Sequence, residues 1–348
     1  FQVLAVDGVT INPASVQPGQ MVQLGGGKFR AVSCPGTAVV FARQPVCASS
    51  LFMYPSARVE IWVTYRNAAG NIATPPAGGA SATFKTVGVQ TGPTGDTWPA
   101  IDLADVSFNP HGQRTFGSGF VHLRPDANLL LGTGGVFTTS TVPSTVTPRT
   151  ANCNPLPKGY HRRIYYGVPN QVTYPDVGFG LGYEIVDPKG HIVPNSTVDI
   201  TPFDPNVPII CTPLGASNSP IKEVWELVNT ATENHNFHIH QTKFRVVDLK
   251  AASGSPFFTA SLMVQSLVGG VLPLPNPQGV VFHDNIPLPT ASGSCDNGIS
   301  DWKSGACIST PVTVEIPFKY AGDFVYHCHI LEHEDGGMMA RIRVASNP

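Results

Sequence analysis

Charge is scarce in this chain. Of its 348 residues, 21 are Lys or Arg and 23 are Asp or Glu, 13% together, for a formal net charge of −2. A nucleic-acid surface needs a basic excess and a disordered tail needs low hydrophobicity with a run of charge, so neither is expected. No apolar run reaches the length that crosses a bilayer, which argues against a membrane span. No secretory leader stands at the start, so either one has been removed or the chain is not exported. Long amphipathic helical patterns and short repeats are missing as well.

Glycine and proline are plentiful, 35 and 33 residues. Between them lie short apolar runs of alternating character. "FQVLAVDGV", "GQMVQLGGGKFRAVS" and "ARVEIWVTYRN" read as strands in the first third. "RRIYYGV", "GYEIVD", "STVDITPF", "EVWELVN", "FHIHQTKFRVVDL", "VTVEIPF" and "DFVYHCHI" do so later. The pattern predicts an all-β chain of two β-sandwich or barrel domains, at 1–106 and 158–348. The intervening 107–157 shows no clear period, and its "TTSTVPSTVTPRT" suits a linker or long loop.

Seven cysteines are present. Cys328 sits among histidines, and the other six are even in number. Short turn-rich loops would be closed by Cys34–Cys47 and Cys295–Cys307, and a longer one by Cys153–Cys211, which is one of fifteen pairings open to six cysteines. Disulfides would place the protein in an oxidising compartment, periplasmic or extracellular; free buried thiols in a cytosolic protein are the other reading.

Six of the eleven histidines fall in two clusters, "HNFHIH" with His235, His238 and His240, and "HCHILEH" with His327, His329 and His333. Alternate residues of a strand point to opposite faces. His238 and His240 therefore share a face, and so do His327 and His329, while His235 and Cys328 look the other way. If the two strands are neighbours, two ligand sets form back to back. His333 and Met338 join the first set if the chain turns after Ile330. Two imidazoles, a thiolate and a weak thioether suit a blue-copper electron-transfer site. Four imidazoles on the other face suit copper, zinc, iron or nickel. The covalent link from Cys328 to His327 and His329 would join the two sets electronically. Structural zinc, by contrast, prefers four ligands closed around one ion. His111, His122, His161, His191 and His283 show no such pattern.

These two segments resemble the H-x-x-H-x-H and H-C-H-x-x-x-H-x-x-x-x-M motifs of multicopper oxidases, the family of laccases, with "HEDGGMM" nearest to bacterial three-domain members. The resemblance implies tandem cupredoxin-like Greek-key domains. It implies type 1 copper on His235, Cys328, His333 and Met338, type 2 copper on His238, and type 3 copper on His240, His327 and His329, four coppers per complete unit. It also implies a proton-supplying role for Glu334. Family members carry two further H-x-H motifs in an N-terminal domain, and no H-x-H precedes residue 238 here. The opening "FQVLAVDG" and "VQPGQMVQL" resemble the start of a second domain, so the chain corresponds to domains two and three. The expected partner is a second polypeptide bearing the first domain. Loss of that domain, or a non-catalytic blue-copper or copper-binding protein, are the alternatives.

The implied reaction is one-electron oxidation of a small reducing substrate with four-electron reduction of O2 to water. Five methionines and no Met-rich segment count against a cuprous substrate, and no carboxylate cluster marks a ferrous or manganous one. Phenols and aromatic amines are the default. The apolar stretch 251–278 would either shape the substrate mouth or pack on a domain. "NST" at 195–197 is a glycosylation sequon in a eukaryotic secretory host.

Overall fold

Alternation builds the strands. In Met339–Ala345 every second residue (Ala340, Ile342, Val344) is buried while the arginines between them reach outward. Val312–Phe318 repeats the pattern. The computed structural model describes residues 1–10, 17–34, 46–110, 153–169, 178–206, 208–216, 219–249 and 282–345. The segments 138–150 and 251–278 discussed above lie outside them.

The first unit is a sheet of six strands. β1 (Gln2–Val6), β2 (Val9–Thr10), β3 (Met21–Leu24), β4 (Gly27–Val32) and β5 (Val46–Met53) run in the order β2-β1-β5-β4-β3, and β6 (Val59–Trp62) also pairs β1. β7 (Ala80–Lys85) pairs β10 (Asp102–Phe108), a strand that runs on past residue 106. β8 (Val89–Gln90) and β9 (Thr97–Trp98) form a small ribbon. Val3, Val6, Val22, Leu24 and Phe29 make the core of this unit.

Two larger sheets follow. One orders β13 (Val198–Thr201), β12 (Gly180–Val186), β11 (His161–Gly167), β15 (Ile221–Asn229), β21 (Val312–Phe318) and β17 (Arg245–Leu249) side by side. The other orders β14 (Pro208–Pro213), β23 (Met339–Ala345), β22 (Gly322–His327), β16 (His235–Ile239) and β18 (Asn285–Leu288). β19 (Ser292–Gly293) and β20 (Cys307–Ile308) pair beside the short helix α1 (Ile299–Ser304). Trp225, Val314 and Phe318 from the first sheet share one core with Phe237, Tyr326 and Ile342 from the second. This is a sandwich, and each such large apolar side chain contributes roughly 1.5–3 kcal/mol by leaving water. The all-β expectation holds.

The three disulfides are Cys34–Cys47, Cys153–Cys211 and Cys295–Cys307, the pairing that the loop lengths suggested. Cys328 is free and buried.

The two units touch behind β16 and β18. Arg58 donates to both carboxylate oxygens of Asp284 at 2.9 Å, and Asn285 Nδ2 donates to the Pro55 carbonyl at 2.8 Å. The glycines at 25 and 26 permit this approach. A Cβ on Gly26 would lie 2.5 Å from Asn285 Nδ2 and one on Gly25, where φ is +51°, 2.1 Å from Asp7.

Candidate metal centres

β16 and β22 are antiparallel neighbours, with His238 opposite His327. That register sets His235 and Cys328 toward the core and His238 and His327 away from it. Past Cys328 the chain leaves the strand, caps the short helix α2 (Leu331–Asp335) at Ile330, and folds back under the cysteine. Cys328 N–H donates to the Met338 carbonyl at 3.1 Å, and Met338 N–H donates to the His333 carbonyl at 2.8 Å. The return depends on Gly336 and Gly337. A Cβ on Gly336 would meet Phe179 Cδ2 at 2.8 Å, and one on Gly337, where φ is +103°, would meet Pro202 Cβ at 2.8 Å.

The core-side cluster is compact. Cys328 Sγ lies 3.5 Å from His333 Nδ1 and 3.8 Å from His235 Nδ1, and the two nitrogens are 2.9 Å apart. Sulfur and nitrogen bound to one trigonal metal at roughly 2.3 and 2.0 Å would be roughly 3.7 Å apart, so the thiol is already spaced for a shared ion. The imidazoles need only spread by a fraction of an ångström. His235, Cys328, His333 and Met338 are all buried. Phe179 stacks on His333 with ring centroids 4.2 Å apart. Asn236 Oδ1 receives the Cys328 thiol at 3.3 Å and the His329 N–H at 2.9 Å, and Asn236 Nδ2 is anchored on Asn285 Oδ1 at 2.6 Å. Asn236 thus fixes the thiol; it lies inside the "HNFHIH" motif, yet its residue type alone carries no ligand signal.

Four imidazoles meet on the opposite face. Ring centroids of His238 lie 5.1 Å from His240, 5.2 Å from His327 and 5.3 Å from His329, and His327 lies 5.1 Å from both His240 and His329. His240 Nε2 and His327 Nε2 are 3.1 Å apart. His238 Nδ1 sits 2.7 Å from the Asp284 carbonyl, which leaves its Nε2 for a ligand. Glu334 Oε2 lies 3.3 Å from His327 Nδ1 and 3.8 Å from His329 Nδ1. His240 is exposed, so this face opens outward.

Electrostatics favour neutral imidazoles. Burial, then the proximity of His333, holds His235 well below the ordinary histidine value. Burial and then His327 bring His238 down to about 4, and burial also lowers His327. Burial pushes the Cys328 thiol up to about 12, so binding an ion there must displace its proton.

A third group was not visible in the sequence. Glu233 Oε1 lies 3.3 Å and Glu332 Oε1 3.6 Å from His333 Nε2. Asp96 hydrogen-bonds to Glu332 and, with burial, raises its pKa. Read along the sequence, no carboxylate cluster stood out, and the fold brings these acids together. The acids come from three separate segments, so no local motif announces them. Among the remaining histidines, His161 lies 3.6 Å from Glu226, and exposed His191 3.2 Å from Asp187. His283 is buried against Phe244. His111 and His122 lie outside the described residues.

Known proteins resemble part of the chain. The family model described as multicopper oxidase matches residues 307–348. A multicopper oxidase of Staphylococcus haemolyticus is 30% identical over 156 residues, 44% of this chain and 25% of that protein. A laccase of Bacillus subtilis is 30% identical over 120 residues, 34% of this chain and 19% of the laccase. A solved multicopper oxidase from Campylobacter jejuni aligns at TM-score 0.31 and 18% identity, over 56% of this chain and 31% of that one. The matched region thus spans a quarter or less of the length of these curated relatives.

Proposed function

We propose that this chain, whose C-terminal part belongs with the multicopper oxidases, forms the substrate-side half of a copper oxidase that couples one-electron oxidation of a small reductant to reduction of O2 to water. The observation that carries the reading is the back-to-back placement of the two ligand sets, with Cys328 between His327 and His329. His235, His333 and Cys328 would hold type 1 copper, with the buried Met338 thioether as a further, weak donor. His238 would serve type 2 copper, and His240, His327 and His329 type 3 copper. Bound copper supplies the one-electron steps and the binding of dioxygen.

The chain's own residues do the rest. Phe179 and the surrounding core keep water from the thiol. Asn236 orients Cys328, and the Asp284 carbonyl orients His238. Glu334, in contact with His327 and His329, would supply protons on the side that faces oxygen. Four imidazoles do not fill the coordination of three coppers. A cupredoxin domain with two H-x-H motifs, on a second polypeptide, would dock over the exposed side of His240 and complete it. The disulfides fit a periplasmic or extracellular setting. No helix among the described residues is long and apolar enough to cross a membrane.

The test is the visible spectrum of the copper-loaded chain. Wild type should show the intense thiolate-to-copper band, and Cys328→Ser should lose it. An identical spectrum in both would remove the type 1 assignment.

A further inference from the structure

Resting on the copper-oxidase reading, we propose that Asn285 is a positioning residue through which the first unit sets the reduction potential of copper held at Cys328. It does so by fixing which end of the Asn236 amide faces the sulfur.

Two fully buried amides run in series from the first unit to the thiol. Asn285 Nδ2 donates to the Pro55 carbonyl at 2.8 Å. Asn285 Oδ1 accepts from Asn236 Nδ2 at 2.6 Å. Asn236 Oδ1 accepts the His329 N–H at 2.9 Å and the Cys328 thiol at 3.3 Å. Asn236 Nδ2 also lies 3.4 Å from the Pro55 carbonyl.

Backbone groups at the two ends fix the direction of the series. The His329 N–H can only donate, and the Pro55 carbonyl can only accept. Turning either amide over would set donor against donor or acceptor against acceptor, which burial makes costly. The first unit is shaped around Asn285. A Cβ on Gly26 would lie 2.5 Å from Asn285 Nδ2, so a glycine there leaves the amide its place. Burial and then the nearness of Cys328 raise the pKa of Tyr54, which adjoins Pro55, so this loop of the first unit reaches the surroundings of the sulfur.

A thiol can donate to an amide oxygen, and a thiolate cannot. Once a metal ion replaces the thiol proton, Asn236 Oδ1 presents the negative end of a dipole to the sulfur. In a dry site such a dipole favours the more positive metal state, cupric over cuprous, and lowers the reduction potential. Burial raises the pKa of the thiol, and the backbone N–H groups of Asn236 and Ile330 oppose that rise. These backbone donors cannot turn. The Asn236 amide can, and Asn285 holds it.

The test is the reduction potential of the copper-loaded chain, read by titrating the thiolate band. Asn285→Leu removes the acceptor for Asn236 Nδ2, so the amide is free to turn its N–H toward the sulfur. The equilibrium constant for reduction should rise about tenfold, which is about 59 mV for a one-electron couple. Asn285→Asp keeps an acceptor oxygen, ionised or protonated, and should leave the potential at or below that of wild type. Gly26→Ala, in the first unit, should push Asn285 aside and raise the potential as Asn285→Leu does. Gly78→Ala, where a Cβ meets nothing within 4 Å, should match wild type. If Asn285→Leu or Gly26→Ala loses the band, the contrast of the other with Asn285→Asp decides. A rise in Asn285→Asp, or no rise in whichever of Asn285→Leu and Gly26→Ala keep the band, would overturn the role of Asn285. Absence of the thiolate band in wild type would instead overturn the copper reading.

Discussion

Met338 shows how much one residue can set. Its backbone carries the hydrogen bonds that close the turn under Cys328, and its side chain is buried in the same core. As a weak axial donor it would stabilise cupric copper more than cuprous. Met338→Leu keeps the volume and the backbone bonds but removes the sulfur. The reduction potential, read by titrating the thiolate band, should rise. A potential that falls or stays put would show that Met338 is not axial. The placement of Met338 beneath Cys328 was legible because the motif lies within one turn of chain. Asn236 was not, since its task depends on Cys328 and Asn285 arriving from other strands.

At the scale of elements, strand parity anticipated the two faces. Pairing of β16 with β22 then delivered His238 opposite His327. The carboxylates were hidden because the Thr91–Asp96 loop, the turn before β16 and α2 meet only in the folded chain. His283 was read as ordinary, and the structure buries it where β18 meets the first unit, with Nδ1 3.2 Å from where a Gly25 Cβ would stand. Burial lowers its pKa to about 4, the main cause, with Asp284 opposing and Lys243 assisting. An unfolded histidine takes a proton near pH 6.5 while the folded one stays neutral down to about pH 4. Its contribution is therefore intact above pH 6.5 and is lost as pH falls toward 4. His283→Phe keeps a ring of similar size without the titration. Between pH 7 and pH 4 the wild-type apoprotein should lose on the order of 3 kcal/mol more unfolding free energy than the variant. Equal acid sensitivity in urea melts of the two would contradict this account.

The whole molecule has its two units joined beside the candidate ligand sets. Arg58 reaches Asp284, whose carbonyl holds His238, and Thr91 reaches Glu233, beside His333. The first unit has no metal ligand set among its described residues, yet it braces both clusters from behind. A bracing domain of this kind gives no motif, only a fitted surface, which is why the sequence pointed to its strands and not to its role. On the proposed reading, the exposed His240 edge would receive a domain from outside these residues.

Copper counted per chain after loading and dialysis, with oxygen uptake measured on a phenolic donor, tests this most directly. For a preparation of these 348 residues alone, the account predicts about one tightly held copper carrying the thiolate band, and no sustained oxygen uptake until a domain with two H-x-H motifs is added. Several retained coppers and full turnover from this chain by itself, or no retained copper with a thiolate band, would contradict it.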